Sequence, residues 1–359
     1  MRLAIVATHP IQYYAPVFQL LAKQLNVKVF YTSKRRAYDQ DFKREICWDI
    51  PLLTGYKYEW QTGKKQLLAI TDFCPQCILI YGWAPQGHLQ ILRHFKNKAK
   101  IIFRGDSTLL KNMPWWKGFL KKATLNWVYS HVDTALYTGT NNKAYFLKYG
   151  LQEAQLKFAP HAIDNERFAL VQPRIEIRKC LGIAKNDLLV LFTGKFNDNK
   201  NVLLLLQAFV EIGVKNTHLL FTGSGRLENK LKLETSKYAN VHLLPFQNQT
   251  IMPAIYQACD LFCLPSKNES WGLSINEAMA CGKAVLVSDQ CGAAIDLVNQ
   301  ENGGIFKTNE LDDFKQQLKY LLKSRQLLNK AGRQSRQRIR EWSFKVQVEN
   351  IITSLYDKS

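Results

Sequence analysis

Short apolar runs alternate with segments of helical periodicity along most of this 359-residue chain. Runs such as 3–7 and 77–81 are apolar at almost every position, which is typical of strands buried on both faces of a parallel sheet. Segments such as 15–25 lie between them and carry their apolar residues on one helical face. Because parallel strands need crossover connections, the alternation predicts an α/β fold with helices between the strands.

The alternation is divided into two series. It pauses in the charged stretch 164–178, which contains Pro173, and restarts with strand-like runs at 188–193 and 218–222. Two such series predict two Rossmann-like, doubly wound domains facing a central cleft. We expect a first domain at 1–165, a second domain at 166–340 and a C-terminal helix at 341–359 that packs back on the first domain.

The charge balance indicates an anionic partner. The chain has 49 Lys and Arg residues against 29 Asp and Glu residues, for a formal net charge of +20. Such an excess favours nucleic acid, acidic lipid headgroups or a phosphorylated ligand. An apolar content of 47% and a charged content of 22% exclude a disordered, collagen-like or coiled-coil chain.

The hydropathy pattern predicts a cytoplasmic protein. No apolar stretch approaches the roughly 18 residues that a bilayer-spanning helix needs. The opening apolar run is too short for the core of a secretory leader. Eight cysteines are spread thinly along the chain, which fits free thiols in a reducing compartment better than a disulfide framework.

Two motifs could bind a metal ion, but neither is specific. Cys74 and Cys77 form a CxxC pair, yet no second pair and no spaced His pair completes a zinc site. Asp39 and Asp41 form a DxD triplet that could hold Mg²⁺ on a diphosphate. Such triplets also occur by chance, and this one lies in a charged stretch. We therefore expect no metal site.

The most informative stretch follows the strand-like run that ends at Leu264. Glu269 lies in the next loop, Gly272 opens a helix, and Glu277 lies in its first two turns. The free backbone amides of Gly272, Leu273 and Ser274 at the helix start form an anion site suited to a diphosphate. A carboxylate repels phosphates but accepts hydrogen bonds from hydroxyl groups. Glu277 would therefore accept hydrogen bonds from a ribose, and Glu269 would face a sugar.

A basic loop lies in the same half of the chain. Lys195 and Lys200 are five residues apart on a strand-to-helix turn, so their charges can converge on two phosphates. Gly223 and Gly225 form a second glycine turn, but the third glycine of a dinucleotide-binding fingerprint is missing, and NAD binding is not predicted.

Residues 265–287 resemble the Glu-x7-Glu signature of retaining GT-B glycosyltransferases, glycosyltransferase family 4 in particular. Further landmarks are similar to those of the family and occur in its order: the interdomain exit 159–168, the basic loop 194–200, the glycine turn 220–225 and the segment 256–261. The resemblance is close over 155–310 and looser in the first half, where 9–13 and 48–53 resemble one bacterial subgroup.

The resemblance implies retaining transfer of a sugar from a UDP- or GDP-sugar to an acceptor hydroxyl, in the synthesis of bacterial cell-surface glycans or glycolipids. It implies front-face attack, with Glu269 positioning the sugar and without a metal ion. Lys195, Lys200 and the amides at Gly272 would neutralise the leaving diphosphate. The family commonly has Arg where this chain has Lys195. The ammonium group of Lys195 therefore replaces a guanidinium group, which could form two parallel hydrogen bonds with a phosphate.

The first domain carries the acceptor side in this family, often with a His near the reacting sugar. This chain has Arg104 and Asp106 at that place, and we expect Asp106 or Arg104 to take over the role. A turn cap is an equally good interpretation of Asp106. Gln12, Tyr13 and His161 are further candidates for the acceptor side or the cleft.

One segment has the composition of a membrane-interface helix. Trp115 and Trp116 are interleaved with Lys117, Lys121 and Lys122. Residues 1–165 hold 23 Lys and Arg against 10 Asp and Glu, which gives +13, whereas the remainder has 26 against 19, which gives +7. The alternative is a solvated helix face with two core tryptophans. The membrane interpretation predicts a peripheral protein on the inner face of the membrane with a lipid-linked or glycan acceptor.

Two other functions are compatible with parts of this pattern. A nucleotide-sugar epimerase of GT-B fold would use the same donor site without a separate acceptor. A nucleic-acid-binding or nucleic-acid-glycosylating protein would explain the net charge of +20, but no known binding module and no Arg/Gly-rich tail is present.

Overall fold

The computed structural model describes residues 1–33, 38–39, 44–45, 47–85, 87–111, 114–171 and 176–357. The strands are β1 (Arg2–Ala7), β2 (Asn26–Tyr31), β3 (Tyr38–Asp39), β4 (Arg44–Glu45), β5 (Lys57–Trp60), β6 (Cys77–Tyr81), β7 (Lys100–Arg104), β8 (Thr134–Tyr137), β9 (Leu156–Phe158), β10 (Leu188–Lys195), β11 (Thr217–Ser224), β12 (Val241–Leu244), β13 (Leu261–Leu264), β14 (Ala284–Ser288) and β15 (Gly303–Phe306).

The helices connect these strands in the order expected from the alternation. They are α1 (Ala15–Ala22), α2 (Gly63–Phe73), α3 (His88–Phe95), α4 (Trp115–Tyr129), α5 (Thr140–Lys148), α6 (Asn165–Ala169), α7 (Ile177–Cys180), α8 (Val202–Ile212), α9 (Glu228–Thr235), α10 (Met252–Ala258), α11 (Leu273–Ala280), α12 (Ala294–Leu297), α13 (Leu311–Leu321), α14 (Arg325–Arg338) and α15 (Phe344–Tyr356). Among the described residues, no helix combines the length and the apolar character that crossing a bilayer requires.

The chain divides into two compact units. The first contains Met1–Tyr38, Ile50–His161 and Phe344–Ser359, and the second contains Ala162–Ser343 together with the described residues between Asp39 and Asp49. The final helix α15 thus belongs to the first unit. Its apolar side chains, among them Ile351, lie in the same buried cluster as those of β1 and β2.

The first unit is built on a parallel sheet with the strand order β5-β2-β1-β6-β7-β8-β9. Leu3 pairs with Val27 on one side of β1 and with Cys77 on the other, so the direction of winding changes next to β1. Leu3–Ala7 is buried throughout, which explains why its sequence is continuously apolar.

The second unit has its own parallel sheet, in the order β12-β11-β10-β13-β14-β15. Winding changes direction between β10 and β13, where Val190 pairs with Leu261. In open α/β sheets, ligands bind outside the carboxyl ends of the strands at such a switch point. The two sheets confirm the predicted α/β class with two doubly wound, Rossmann-like arrangements.

Candidate functional site

The loop that carries Glu269 is fixed by its backbone. The Glu269 amide donates to the carbonyl of Gln290 at 3.0 Å, and the Gly292 amide donates to the carbonyl of Glu269 at 2.9 Å. A Cβ atom at Gly292 would lie 1.8 Å from the carbonyl oxygen of Ser270, so only glycine permits this approach. The loop after β13 is therefore held against the loop after β14.

The side chains of Lys200 and Glu269 form an ion pair, in which the Lys200 ammonium donates to Glu269 Oε2. The pair is largely shielded, since the two side chains are 18% and 20% exposed. Asn199 reinforces the approach, because its side chain donates to the carbonyl of Asn268 at 2.7 Å and its own carbonyl accepts from the Lys267 amide at 2.7 Å. The structure thus brings the predicted phosphate lysine and the predicted sugar carboxylate together.

Lys195 is the last residue of β10, in register with Ser224 of β11. The preceding pair is Gly194 and Gly223, and a Cβ at Gly223 would lie 1.9 Å from the carbonyl oxygen of Gly194. The two strand ends can approach so closely only because glycine has no side chain. Lys195 therefore lies at the carboxyl edge of the sheet, on the strand next to the one that leads to Glu269.

Helix α11 begins at the same edge. Gly272 precedes it with a φ of 97°, a backbone conformation that other residues adopt only with strain. The side chain of Trp271 is buried and donates to Asn276 Oδ1 at 3.0 Å, which fastens the loop to the helix that follows. The first backbone amides of a helix have no intrahelical acceptor, so Gly272, Leu273 and Ser274 present donors at this end.

Glu277 is buried on α11, with 4% of its surface exposed. Its Oε2 atom accepts a hydrogen bond of 2.7 Å from the hydroxyl of Tyr256, which in turn lies 2.6 Å from the hydroxyl of Thr193. The sequence analysis assigned no role to Tyr256 or Thr193. A tyrosine in an apolar helix has the same pattern as a core residue, and only the folded chain brings it to Glu277.

The candidates of the first unit lie at the carboxyl ends of β1, β7 and β9. Arg104 is buried, and its guanidinium donates to the carbonyls of Ala159 and Pro160 at 2.8 and 3.0 Å. The Arg104 guanidinium therefore holds the chain segment that follows β9. Asp106 lies two residues beyond β7 and is partly buried.

His161 is buried and has a strongly shifted pKa. Burial, together with the nearby Arg104 charge, lowers the pKa of His161 to about 3, so its ring is neutral near pH 7. The ring of Tyr14 stacks on it at a centroid distance of 6.2 Å. Burial raises the pKa of Tyr14 to about 12, and the charge of Asp106 adds to the shift. Tyr13 and Gln12, which precede Tyr14, are partly buried.

His88 is a further buried polar residue that the sequence analysis did not single out. Its Nδ1 lies 2.9 Å from the carbonyl of Gly82, so Nδ1 carries the proton, and Nε2 accepts from the Thr32 hydroxyl at 3.2 Å. Burial lowers the pKa of His88. The side chain joins the loops after β2 and β6. A single histidine without a motif gives no sequence signal for such a role.

The candidate membrane-binding surface is on helix α4, which exposes several large apolar side chains. Trp115 is 85% exposed, Trp116 50%, Phe119 71% and Leu120 59%. Lys117 and Lys122 are exposed on the same helix, and Lys121 lies over the rings of Tyr145 and Tyr149 at 4.8 and 5.1 Å. The alternative that Trp115 and Trp116 are core residues is wrong, because their rings extend from the surface.

The candidate metal ligands in the sequence are the CxxC cysteines and the DxD triplet. All eight cysteines are free, with Cys74 exposed and Cys77 buried. Among the described residues, no three His, Cys, Asp or Glu side chains are grouped so as to hold a metal ion. Asp41 and the side chain of Asp39 lie outside the described residues.

Solved structures share this fold. The two sheets match those of GT-B glycosyltransferases over almost the whole chain. Sucrose-phosphate synthase from Thermosynechococcus elongatus superposes with a TM-score of 0.77 at 16% identity, covering 98% of each chain. HepE from Anabaena, crystallised with UDP and glucose, superposes with a TM-score of 0.74 at 14% identity, covering 99% of each chain. The chain therefore has the GT-B fold.

One family model matches a large part of the second unit. Residues 173–338, which include the candidate site of that unit, match the family model of glycosyl transferases group 1. A D-inositol 3-phosphate glycosyltransferase from Rhodococcus erythropolis is 25% identical over 59% of this chain and 50% of its own length. The N,N'-diacetylbacillosaminyl-diphospho-undecaprenol alpha-1,3-N-acetylgalactosaminyltransferase from Campylobacter jejuni is 24% identical over 62% of this chain and 58% of its own length. The chain thus spans about half the length of these curated relatives.

Proposed function

We propose that this protein is a retaining glycosyltransferase of family 4 that transfers a hexose from a UDP- or GDP-sugar to an acceptor hydroxyl. One observation carries the proposal: Lys195, Lys200, Glu269, Glu277 and the start of α11 converge on the carboxyl edge of the second sheet, at its switch point. This arrangement offers two cations and free amides to a diphosphate, and two carboxylates to hydroxyl groups. The same residues lie within the part that matches glycosyl transferases group 1.

The donor is held by complementary charge. Lys195, Lys200 and the amides of Gly272, Leu273 and Ser274 bind the diphosphate, and Glu277 accepts hydrogen bonds from the ribose. Lys200 forms an ion pair with Glu269, so a bound phosphate competes with Glu269 for the ammonium group of Lys200. A nucleoside diphosphate donor is supported by the UDP in the HepE crystal structure.

The reaction breaks the bond between the anomeric carbon and the diphosphate oxygen and forms a bond from that carbon to the acceptor oxygen. The acceptor proton passes to the leaving phosphate, so charge and atoms balance without a metal ion. Glu269 orients the sugar, and the lysines and amides stabilise the developing negative charge. Asp106 contributes from the first unit, with Gln12, Tyr13, Arg104 and His161 on the acceptor side.

The acceptor is a lipid-linked or glycan hydroxyl at a membrane. Helix α4 combines exposed Trp115 and Trp116 with Lys117, Lys121 and Lys122, which is the composition of a helix that lies in an anionic interface. The named activity of the Campylobacter jejuni relative, which acts on an undecaprenol-linked sugar, is in keeping with this. We infer peripheral attachment to the inner face of the membrane and residence in the cytoplasm.

A donor panel with product analysis tests the proposal. We expect UDP or GDP to raise the melting temperature, since a ligand at 100 times its Kd adds about 2.7 kcal/mol of stability. The stabilising nucleotide is then offered as its sugar with a polyprenyl-diphosphate sugar acceptor. A new glycosidic bond with the donor's anomeric configuration supports the proposal. An epimerised sugar released without acceptor, or a new bond of inverted configuration, contradicts it.

A further inference from the structure

A chain of three buried side chains links the candidate ribose carboxylate to the sheet. Thr193 is 5% exposed, Tyr256 is fully buried and Glu277 is 4% exposed. We propose that Tyr256 and Thr193 are positioning residues, which orient the Glu277 carboxylate so that the site selects a nucleoside diphosphate with an intact ribose diol. This inference rests on the proposed role of Glu277.

The direction of the hydrogen bonds follows from the chemistry of the three groups. A carboxylate only accepts, so the hydroxyl of Tyr256 donates its one proton to Glu277 Oε2, at 2.7 Å. The tyrosine oxygen can then only accept from Thr193, whose Oγ1 lies 2.6 Å away. Hydrogen bonds in such a series strengthen one another, and a bond to a charged carboxylate is among the stronger ones in proteins.

The chain of bonds joins elements that bear different parts of the site. Thr193 is on β10, two residues before Lys195, whereas Glu277 is on α11, whose first turn presents the diphosphate amides. Tyr256 on α10 lies between them, and its ring is held against Phe262 and Phe168 at centroid distances of 5.6 and 5.8 Å. The ring cannot shift without disturbing the core, so the carboxylate is fixed relative to both phosphate-binding groups.

Fixing one oxygen of Glu277 sets the plane of the carboxylate, and with it the directions in which the 2′- and 3′-hydroxyls of a ribose can donate. Loss of the Tyr256 hydrogen bond leaves the charge of Glu277 in place but removes one of the contacts that orient its carboxylate. We therefore expect the loss of Tyr256 to weaken recognition of the ribose hydroxyls while leaving contacts to the base and phosphates in place.

The test compares ribose and deoxyribose ligands by calorimetry. The probes are UDP or GDP, whichever the wild type binds more tightly, and the 2′-deoxy and 3′-deoxy forms of that nucleotide. We expect the wild type to bind at least one deoxy form about tenfold more weakly, because a buried hydrogen-bonding group then lacks its partner. Y256F should reduce this ratio to below about threefold, while its affinity for the deoxy form changes by less than about twofold.

The neighbouring strand offers a matched control. Thr222 of β11 is paired in register with Thr193, and its buried hydroxyl has no hydrogen-bond partner among the described residues. T193V should lower the ratio between ribose and deoxyribose ligands, T193S should restore it, and T222V should leave it unchanged.

The outcomes separate this inference from the proposed function. If the wild type binds ribose and deoxyribose ligands equally, Glu277 does not read the ribose and the proposed function of that residue is wrong. If the wild type discriminates and Y256F keeps the full ratio, the positioning role is overturned while the donor site stands. If Y256F does not fold, the ratios of T193V, T193S and T222V decide, and equal ratios in all three overturn the inference.

Discussion

The charge of Glu269 is balanced by Lys200, so a change at either residue alters the electrostatics of the proposed donor site. The pair is about one-fifth exposed, and its worth to stability is modest because solvent screens it. The consequences of removing Glu269 should therefore appear in the reaction rather than in the fold.

The first prediction concerns E269A. We expect kcat/KM for transfer to fall at least about a hundredfold, because the sugar loses the group that orients it. The melting temperature should stay within a few degrees of the wild type. E234A is the control, since Glu234 forms an exposed ion pair with Lys237 on the surface of the same unit. Full activity in E269A would place the sugar elsewhere.

The second prediction concerns Lys195, which closes β10 at the edge of the sheet. K195A should lower kcat/KM by roughly ten- to a thousandfold, the range for losing a charged contact to a developing negative charge. K195R should keep most of the activity, since a guanidinium also binds a phosphate and does so with two parallel bonds. Steady-state kinetics of both variants decide the matter. Equal kinetics in K195A and wild type would show that the diphosphate does not contact this side chain.

Individual residues differ in how well the sequence predicts them. Glu269, Glu277, Lys195 and Lys200 stand in a spacing that already indicates their place at a strand end or helix start. The partners that hold such residues come from distant parts of the chain and have no spacing of their own. Tyr256 is 21 residues from Glu277, and its hydroxyl contact depends on how α10 packs beside α11.

At the scale of elements, the sequence predicts the inner strands and the edge strands β9 and β12, but it misses the edge strands β5 and β15. The inner strands β1, β6, β10, β13 and β14 each contain a continuous apolar run, because both faces of the sheet are covered there. The edge strand β5 has the sequence Lys-Tyr-Glu-Trp and was not expected, since its outer residues are exposed. The edge strand β15 begins with two glycines, which interrupt the apolar pattern. Burial produces the continuous apolar pattern that identifies a strand, and β5 and β15 lack that pattern.

Loop elements are fixed by close backbone contacts that give a third prediction. G292A introduces a Cβ at 1.8 Å from the Ser270 carbonyl oxygen, so the two loops must separate. We expect a loss of about 1–3 kcal/mol of stability, as for other overpacked sites, and reduced transfer activity because Glu269 is anchored to this loop. Thermal or denaturant unfolding measures the first effect.

Gly118 provides the control for this substitution. It lies within α4, and a Cβ there would meet no atom within 4 Å. G118A should be neutral or should stabilise the protein by about 0.5–1 kcal/mol, because alanine is the better helix former. Equal stability of G292A and wild type would mean that the loop tolerates the separation.

For the molecule as a whole, buried neutral histidines predict acid sensitivity. Burial lowers the pKa values of His88 and His161, that of His161 to about 3. A lowered histidine pKa means that the unfolded chain binds protons first, so stability is full above about pH 6.5 and is lost as the pH falls below it. Between pH 6.5 and 5, His161 alone accounts for a loss of about 2 kcal/mol.

The fourth prediction is therefore a melting temperature that falls between pH 7 and 5, with a shallower fall in H161Q. H94Q is the control, because His94 is exposed on α3 and its replacement should leave the pH profile unchanged. Scanning calorimetry at several pH values measures the effect. A wild-type melting temperature that does not change between pH 7 and 5 would contradict the buried, neutral state of His161.

The charge distribution of the whole molecule supports the proposed attachment to a membrane. Of the net +20, +13 lies in residues 1–165, which include α4 with its exposed tryptophans. Two contributions to binding at an anionic membrane are expected. Each lysine near the surface adds about 1 kcal/mol, and the indole rings insert at the depth of the headgroups. The two contributions respond differently to salt, because only the first is screened.

The fifth prediction follows from this difference. Wild-type protein should float with vesicles containing anionic lipid at low salt and lose most of that binding at 1 M salt, where the Debye length is about 3 Å. The triple variant K117E/K121E/K122E should lose binding at low salt while still binding donor nucleotide, whose proposed site lies in the second unit. The control K330E/R333E/R340E makes the same change of charge at exposed residues of the second unit and should still float. W115A/W116A should weaken flotation even at low salt with an unchanged melting temperature, since both rings are exposed. Equal flotation of the two triple variants would show that net charge, and not helix α4, accounts for membrane binding.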